Sequence, residues 1–178
     1  MAYKLKKEIE SKLKKEKVTL KPITYENQYY ITKLDSGHDD VYVASNSSTI
    51  IQAFFKKTIK SVRAIYLESG ASAGAGVDAK PIGLIYAEIL KNKRVLSIRR
   101  FMIDKNFQGK GYGTQAFNIG LKFYVKKYKP EMIELSSKNK DAIKLYKKFG
   151  FIEDSRIVKD KGDKTIYLII NTKDIIYI

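Results

Sequence analysis

Three glycines in the segment Gln-Gly-Lys-Gly-Tyr-Gly, residues 108–113, separate a stretch with the pattern of a strand from one with the pattern of a helix. Residues 94–103 are rich in β-branched and aromatic side chains, which is typical of a strand. After the glycines, apolar residues recur at helical spacing up to Tyr128, and Pro130 ends the pattern. Glycines in such a turn let backbone N–H groups converge on an anion at the positive end of the helix. The segment therefore predicts a phosphate-binding loop, with a pyrophosphate as its natural ligand.

Two commoner phosphate-binding motifs do not fit this loop. A Walker-type loop needs serine or threonine after its Gly-Lys pair, whereas Lys110 is followed by Gly111. A dinucleotide-binding fingerprint needs a third glycine where Thr114 stands, and no βαβ unit with a suitably placed acidic residue is evident. The glycine cluster thus predicts phosphate binding without naming the ligand.

The periodicity of the remaining chain predicts a single mixed α/β (α+β) domain over residues 18–178, with about six to seven strands in one sheet and flanking helices. Strands are predicted at residues 18–23, 62–67, 82–90, 94–103, 131–136, 151–158 and 164–170, and helices within 25–60, 114–128 and 141–149. Ser47, Ser48 and Thr49 are candidate N-caps for a helix with an apolar stripe at residues 50–55.

Lysine and glutamate alternate through residues 1–17, which predicts a narrow-faced amphipathic helix ahead of the domain. The formal net charge of +16 suits nucleic acid, an anionic surface or an anionic cofactor without choosing among them. The chain has no cysteine and His38 is its only histidine, so we expect no thiol chemistry and no metal site. No apolar run approaches the roughly 20 residues of a membrane span, and no signal-peptide pattern is present. We therefore expect a cytoplasmic protein with no membrane partner.

A second motif gives the glycine loop a family context. Residues 139–151 read Asn-x-x-Ala-x-x-Leu-Tyr-x-x-x-Gly-Phe, and they follow the Phe-Met-Ile-Asp of residues 101–104 and the loop at 108–113 in the expected order. This combination resembles the GNAT acetyltransferases over about residues 18–170, and most strongly from Leu96 to Ile152. Within that family the sequence looks most similar to bacterial diamine and polyamine N-acetyltransferases.

The resemblance implies acetyl-CoA as the cofactor and a sheet that splays at its central strand. It also implies that the strand ending at residues 102–103 pairs with the pantetheine arm, and that a backbone N–H near Met102 holds the oxygen that gains negative charge. Tyr146 would be the general acid that protonates the departing thiolate; a core aromatic is the alternative role for this side chain. The residues implied to bind the cofactor are Phe101, Met102, Ile103, Gln108, Gly109, Lys110, Gly111, Tyr112, Gly113, Thr114 and Asn139.

The general base and the acceptor are less well defined by the sequence. Polyamine acetyltransferases often carry an acidic residue on the central strand, but residues 97–100 read Ser-Ile-Arg-Arg. We therefore expect Glu88, on the preceding strand, to act as the base, with a surface glutamate as the alternative. Glu26, Asp39 and Asp40 are candidates for binding a cationic amine, and solvated loop charges are the alternative for them.

The sequence predicts transfer of an acetyl group from acetyl-CoA to a small primary amine, with a diamine or polyamine as the finer hypothesis. A protein N-terminus or a lysine is the alternative acceptor, because a charge of +16 repels polyamines. A basic nucleic-acid-binding module is the alternative of another class, although no recognised motif for it is present. A homodimer is compatible with the apolar run at residues 175–178.

Overall fold

The computed structural model describes residues 16–37, 45–56, 58–69, 78–90, 94–155, 157 and 162–178. Most of the predicted leading helix, the candidate acceptor residues Asp39 and Asp40, and nearly all of the glycine- and alanine-rich segment at residues 69–76 lie outside the described residues. Residues 16–17 are described, and the helix predicted for them is wrong, because they begin a strand that pairs with another strand at Glu68 and Ser69.

Seven strands and four α-helices form the described part of the chain. The strands are β1 (Glu16–Pro22), β2 (Ile59–Ser69), β3 (Asp78–Leu90), β4 (Val95–Ile103), β5 (Met132–Ser137), β6 (Ile152–Glu153) and β7 (Ile166–Asn171). The helices are α1 (Tyr25–Thr32), α2 (Asn46–Phe55), α3 (Tyr112–Tyr128) and α4 (Lys140–Lys148), with short 3-10 turns at Lys105–Phe107 and Thr172–Asp174. None of these helices is long and apolar enough to span a membrane.

All seven strands join one sheet in the order β1-β2-β3-β4-β5-β7-β6. Only the β4–β5 pair is parallel, and every other neighbouring pair is antiparallel. A parallel pair needs a crossover, which α3 supplies between β4 and β5. The predicted mixed sheet with flanking helices is confirmed.

Two apolar clusters cover the two faces of the sheet. The larger one places Phe117 of α3, which is fully buried, against the rings of Tyr146, Phe149 and Phe101 at centroid distances of 4.9, 5.1 and 5.2 Å. The smaller cluster joins α1 and α2 to the opposite face of β2, β3 and β4. Strand residues alternate between the faces, so each helix pair covers alternate side chains of the same strands.

Helix α2 differs from its prediction in two ways. Its N-cap is Ser45, whose hydroxyl accepts a hydrogen bond from the Ser48 N–H at 3.1 Å, so the predicted caps at residues 47–49 are wrong. Most of the predicted apolar stripe faces away from the sheet, since Ile51 and Phe54 are 57% and 77% exposed. The predicted strand at residues 151–158 is also too long, because pairing in the described part is limited to Ile152–Glu153.

Candidate active site

Strands β4 and β5 pair at one end of the sheet and separate at the other. Their parallel register runs from Val95 opposite Met132 to Ile98 opposite Leu135 and stops there, although both strands continue. The β3–β4 register shifts by one residue at the same level, and this β-bulge leaves Arg99 without a partner on β3. The expected splay at the central strand is therefore confirmed, and it opens a cleft of about 990 Å³ between the two strands.

The backbone of β4 presents alternate residues to this gap. The Asp104 N–H donates to the Ile82 carbonyl at 2.8 Å, so residue 104 faces β3. Because backbone groups reverse direction at each residue of a strand, Met102 also faces β3, whereas the N–H groups of Phe101 and Ile103 face the gap. A pantetheine arm that pairs with β4 would therefore meet residues 101 and 103, while the N–H of Met102 is directed at the neighbouring strand.

The glycine loop lies at the open end of the cleft, where α3 begins. Gly109 and Gly111 have φ angles of +74° and +83°, and a Cβ added at either one would meet nothing within 4 Å. Gly111 is the N-cap of α3, and no side chain caps this helix end. The first N–H groups of α3 therefore face an open space at the positive end of the helix. An N-terminus with this free space fits a pyrophosphate such as that of CoA.

Some loop side chains have structural partners instead of facing the cleft. The Gln108 side-chain amide donates to the carbonyls of Ile103 and Ser36 at 2.8 and 3.0 Å, which ties the loop to the end of β4. Tyr112 is buried and donates its hydroxyl hydrogen bond to Glu16, which raises the pKa of Tyr112 to about 12. Lys110 turns back to the carbonyl of Asn106 at 2.9 Å. The Gln108 N–H also donates, to the carbonyl of Lys105 at 3.4 Å. The backbone N–H groups of Lys110 and Tyr112 and the exposed Lys110 ammonium therefore remain for a phosphate.

Helix α4 brings two predicted site residues to the cleft. Asn139 is its N-cap, and its side-chain oxygen accepts hydrogen bonds from the N–H groups of Asp141 and Ala142 at 2.9 and 3.0 Å. The Tyr146 side chain lines the cleft while its ring packs on Phe117 in the core. Burial raises the pKa of Tyr146, so its hydroxyl stays protonated at neutral pH. The core position and a proton-donating position are therefore compatible for this side chain.

The predicted base, Glu88, sits in a cluster of hydrogen bonds beside the cleft. It is 2% exposed and accepts hydrogen bonds from Lys56 at 2.6 Å, from Arg99 at 3.4 Å and from the hydroxyl of Tyr86. Burial by itself raises the pKa of Glu88, but the hydrogen bonds from Lys56 and Tyr86 outweigh it and the net pKa is lowered. Tyr86 lines the cleft directly, so it connects Glu88 to the site.

Sequence reasoning missed Tyr86 and Arg100 as cleft residues. Arg100 is half-buried, and its Nε–H is buried without an acceptor; its Nη2 lies 3.5 Å from the side-chain oxygen of Asn46. The available signal was the Arg-Arg pair at residues 99–100, which stands where an acid was expected. The predicted acceptor residue Glu26 is exposed on the first turn of α1 and does not line the cleft.

Comparisons with known proteins agree with this geometry. The model of the Acetyltransferase (GNAT) family matches residues 38–151. The chain is 43% identical over 68 residues to a probable spermine N(1)-acetyltransferase of Bacillus subtilis subsp. natto, covering 37% of this chain and 44% of that relative. It is 32% identical over 90 residues to an uncharacterized N-acetyltransferase of Methanocaldococcus jannaschii, covering 47% of this chain and 39% of the relative. The chain thus matches less than half the length of these curated relatives.

The fold has a solved counterpart in Vibrio cholerae. A spermidine N-acetyltransferase of that organism, in complex with CoA and spermine, covers 88% of this chain and 96% of its own, with a TM-score of 0.62 and 19% identity. At this identity the likeness concerns the fold. The family match spans more than half of the chain and includes the glycine loop, both ends of the cleft and the Tyr146 motif, so this chain belongs to the GNAT acetyltransferase family.

Proposed function

We propose that the chain is an N-acetyltransferase that moves the acetyl group of acetyl-CoA directly to a primary amine. The observation that carries the proposal is the uncapped N-terminus of α3, with its two left-handed glycines, opening onto the gap between β4 and β5. When bound, acetyl-CoA supplies an acetyl group activated as a thioester and a thiol as the leaving group. The family uses this cofactor, and the loop has the space and the donors for its pyrophosphate.

The chain's residues have separate tasks in binding. The N–H groups of residues 109–114 would hold the pyrophosphate, and those of Phe101 and Ile103 would hold the amide-bearing arm in the gap, as an added strand is held. Asn139 lines the cleft at the start of α4 and would contact the arm there. Lys138, Lys144 and Lys148 line the α4 side of the cleft and add positive charge there.

Proton transfers at the nitrogen and at the sulfur complete the reaction. An alkylamine, with a pKa of about 10.4, is mostly protonated at neutral pH and must lose a proton before its nitrogen bonds to the acetyl carbon. We propose that Glu88 takes this proton through the hydroxyl of Tyr86, which lines the cleft and already donates to Glu88. The carbon–sulfur bond would break as the carbon–nitrogen bond forms, and the hydroxyl of Tyr146 would give its proton to the sulfur. The nitrogen would lose its second proton as it becomes an amide, and that proton would return Tyr146 to its neutral form through water.

A polyamine is the acceptor that the relatives suggest. The Bacillus relative is named for spermine, and the Vibrio structure holds spermine. The opposing observation is the charge of this chain, which is +16 overall. A protein amine therefore remains the alternative acceptor, and a cytoplasmic location stays a prediction.

We further propose that the enzyme forms a homodimer through its last residues. Ile176 and Ile178 are 57% and 58% exposed and lie at the end of an apolar run. Light scattering should give twice the monomer mass for the wild type, and the mass of a monomer for Ile176→Asp. A monomeric wild type would contradict this part of the proposal.

Amine-dependent release of CoA from acetyl-CoA tests the enzymatic proposal. A thiol reagent can follow the reaction directly, because the protein has no cysteine of its own. The panel contains alkylamines, diamines, spermidine, spermine and lysine-bearing peptides. Turnover with at least one amine class supports the proposal. Release at the rate of hydrolysis with every amine would contradict it.

A further inference from the structure

The acceptor side of the cleft carries more positive than negative charge. This side is formed by β3, the bulged part of β4 and the inner face of α2, and its cations are Lys56, Arg99 and Arg100. Its one carboxylate in the described part of the chain is Glu88, which does not line the cleft. The carboxylate that does line the described cleft, Asp141, lies at the start of α4 and is bonded to Lys144 at 3.2 Å.

Glu88 is buried and already bonded to three donors of the protein. One of its oxygens accepts from Lys56 at 2.6 Å and from Tyr86, and the other accepts from Arg99 at 3.4 Å. Lys56 and Arg99 balance the charge of the carboxylate within the protein, so it offers little attraction to a second ammonium group. A diamine in this cleft would place its distal charge near Arg99 and Arg100 without a free carboxylate from the described residues.

Arg100 differs from Glu88, because no group of opposite charge in the described part of the chain neutralises it. No carboxylate in the described part of the chain lies within salt-bridge distance of its guanidinium, and its Nε–H is buried without an acceptor. Its Nη2 lies 3.5 Å from the side-chain oxygen of Asn46, at the limit of hydrogen-bond length. A half-buried guanidinium that faces a cleft and lacks an anion is a site for one, since its planar donors match a carboxylate.

We propose that the acceptor is a small aminocarboxylate, a molecule with a carboxylate a few bonds from its primary amine, and that Arg100 binds this carboxylate with Arg99 beside it. The inference rests on the proposed acetyl transfer and names its substrate class. The amine would then lie towards Tyr86 and the gap, while the carboxylate lies on the guanidinium.

Matched acceptors of equal chain length test the charge preference. The series contains ω-amino acids of two to six carbons, the alkylamines of the same length and the corresponding diamines, each assayed for CoA release from acetyl-CoA. We expect the best ω-amino acid to exceed its matched alkylamine and diamine in kcat/KM by about 10- to 100-fold, the range expected for one charge-assisted bond. Arg100→Gln should reduce that ratio towards one.

Two variants keep the test independent of folding. Arg63→Gln is the matched control, because Arg63 is also half-buried with an orphaned Nε–H but lies on β2 over the ring of Phe123, outside the cleft. It should keep the wild-type ratio. If Arg100→Gln does not fold, Arg100→Lys replaces it; lysine keeps the charge but lacks the planar pair of donors, so a smaller fall in the ratio is expected.

The outcomes separate this inference from the proposed function. A diamine preferred at every length, or a ratio unchanged in the folded arginine variant, would overturn the inference and leave acetyl transfer standing. If no amine is acetylated, the carboxylate site is tested by the change in melting temperature of the CoA-bound protein when the ω-amino acid is added. Stabilisation by the ω-amino acid in the wild type but not in Arg100→Gln would support the carboxylate site while the transfer proposal fails. No stabilisation in either protein would overturn both.

Discussion

The glycine at the N-cap of α3 offers a substitution in which cofactor binding can be separated from folding. Gly111 has a φ of +83°, and a Cβ there would meet no protein atom within 4 Å. Gly111→Ala therefore costs backbone strain alone, about 1–2 kcal/mol for a left-handed L-residue. For a domain of this size that lowers Tm by about 2–8 °C. The same Cβ would occupy the space in which the pyrophosphate approaches the N–H groups.

Gly162 is the matched control, because its φ is +93° and a Cβ there also meets nothing within 4 Å, but it lies outside the cleft. Losing one charge-assisted hydrogen bond, about 1.5–3 kcal/mol, should raise the Kd for CoA by about 10- to 100-fold in Gly111→Ala. Gly162→Ala should lose similar stability and keep the wild-type Kd. Calorimetric titration with CoA and thermal melting measure both effects. Equal CoA affinity in the two variants would refute the assignment of the loop.

Three further predictions address the acid, the core and the buried carboxylate. Tyr146→Phe should lower kcat by about 10²-fold or more with little change in Kd for CoA, because only the proton donor is lost; an unchanged kcat in the thiol assay would exclude that role. Phe117→Ala should cost about 3–5 kcal/mol in denaturant unfolding, whereas Phe54→Ala, at a side chain that is 77% exposed, should change it by less than about 0.5 kcal/mol. The pKa of Glu88 is lowered on folding, so its stabilisation is full above the ordinary value of 4.5 and is lost as the pH falls through the folded pKa. Glu88→Gln should therefore lose less unfolding free energy than the wild type as the pH falls below 4.5. The same loss in both proteins would contradict the lowered pKa of Glu88.

The parts of the site that sequence could predict are those with local causes. A left-handed backbone strongly favours glycine, although Arg94 and Lys129 also adopt it here, so Gly109 and Gly111 were identifiable before the fold was known. The helical spacing after the loop likewise fixes α3, whose observed end at Tyr128 agrees with the stop at Pro130. The strands β3 and β4 were predictable for the same reason, since their composition is that of buried strands.

The parts that sequence could not predict depend on pairing across the sheet. A β-bulge opposite Tyr86 places Arg99 beside Glu88, and no single strand records that register. Periodicity showed that α2 has an apolar stripe but not which face meets the sheet. The orientation follows from Asn46, whose amide donates to the carbonyls of Ile31 and Leu34 at 3.1 and 2.8 Å and turns the polar start of α2 inward.

Pairing also overrides local helix preference at the first described residues. Glu16 and Lys17 continue a charge alternation typical of a helix, yet they lie in β1 opposite Ser69 and Glu68. The hydrogen bond from Tyr112 to Glu16 adds a contact between residues 96 positions apart in the chain. Such long-range contacts are absent from any local pattern, so the boundary between extension and domain could not be read from the sequence.

Mapping the residues that CoA contacts tests the cofactor-binding loop most directly. Glycine amides resonate in their own region of a ¹H–¹⁵N correlation spectrum, so Gly109, Gly111 and Gly113 can be followed during a titration with CoA, with Gly162 as an internal reference. We predict that the resonances of the three loop amides shift as their N–H groups donate hydrogen bonds to the pyrophosphate, while the resonance of Gly162 stays in place. Saturation with CoA that leaves the three loop amides unmoved would contradict the central claim that this loop is the cofactor-binding site.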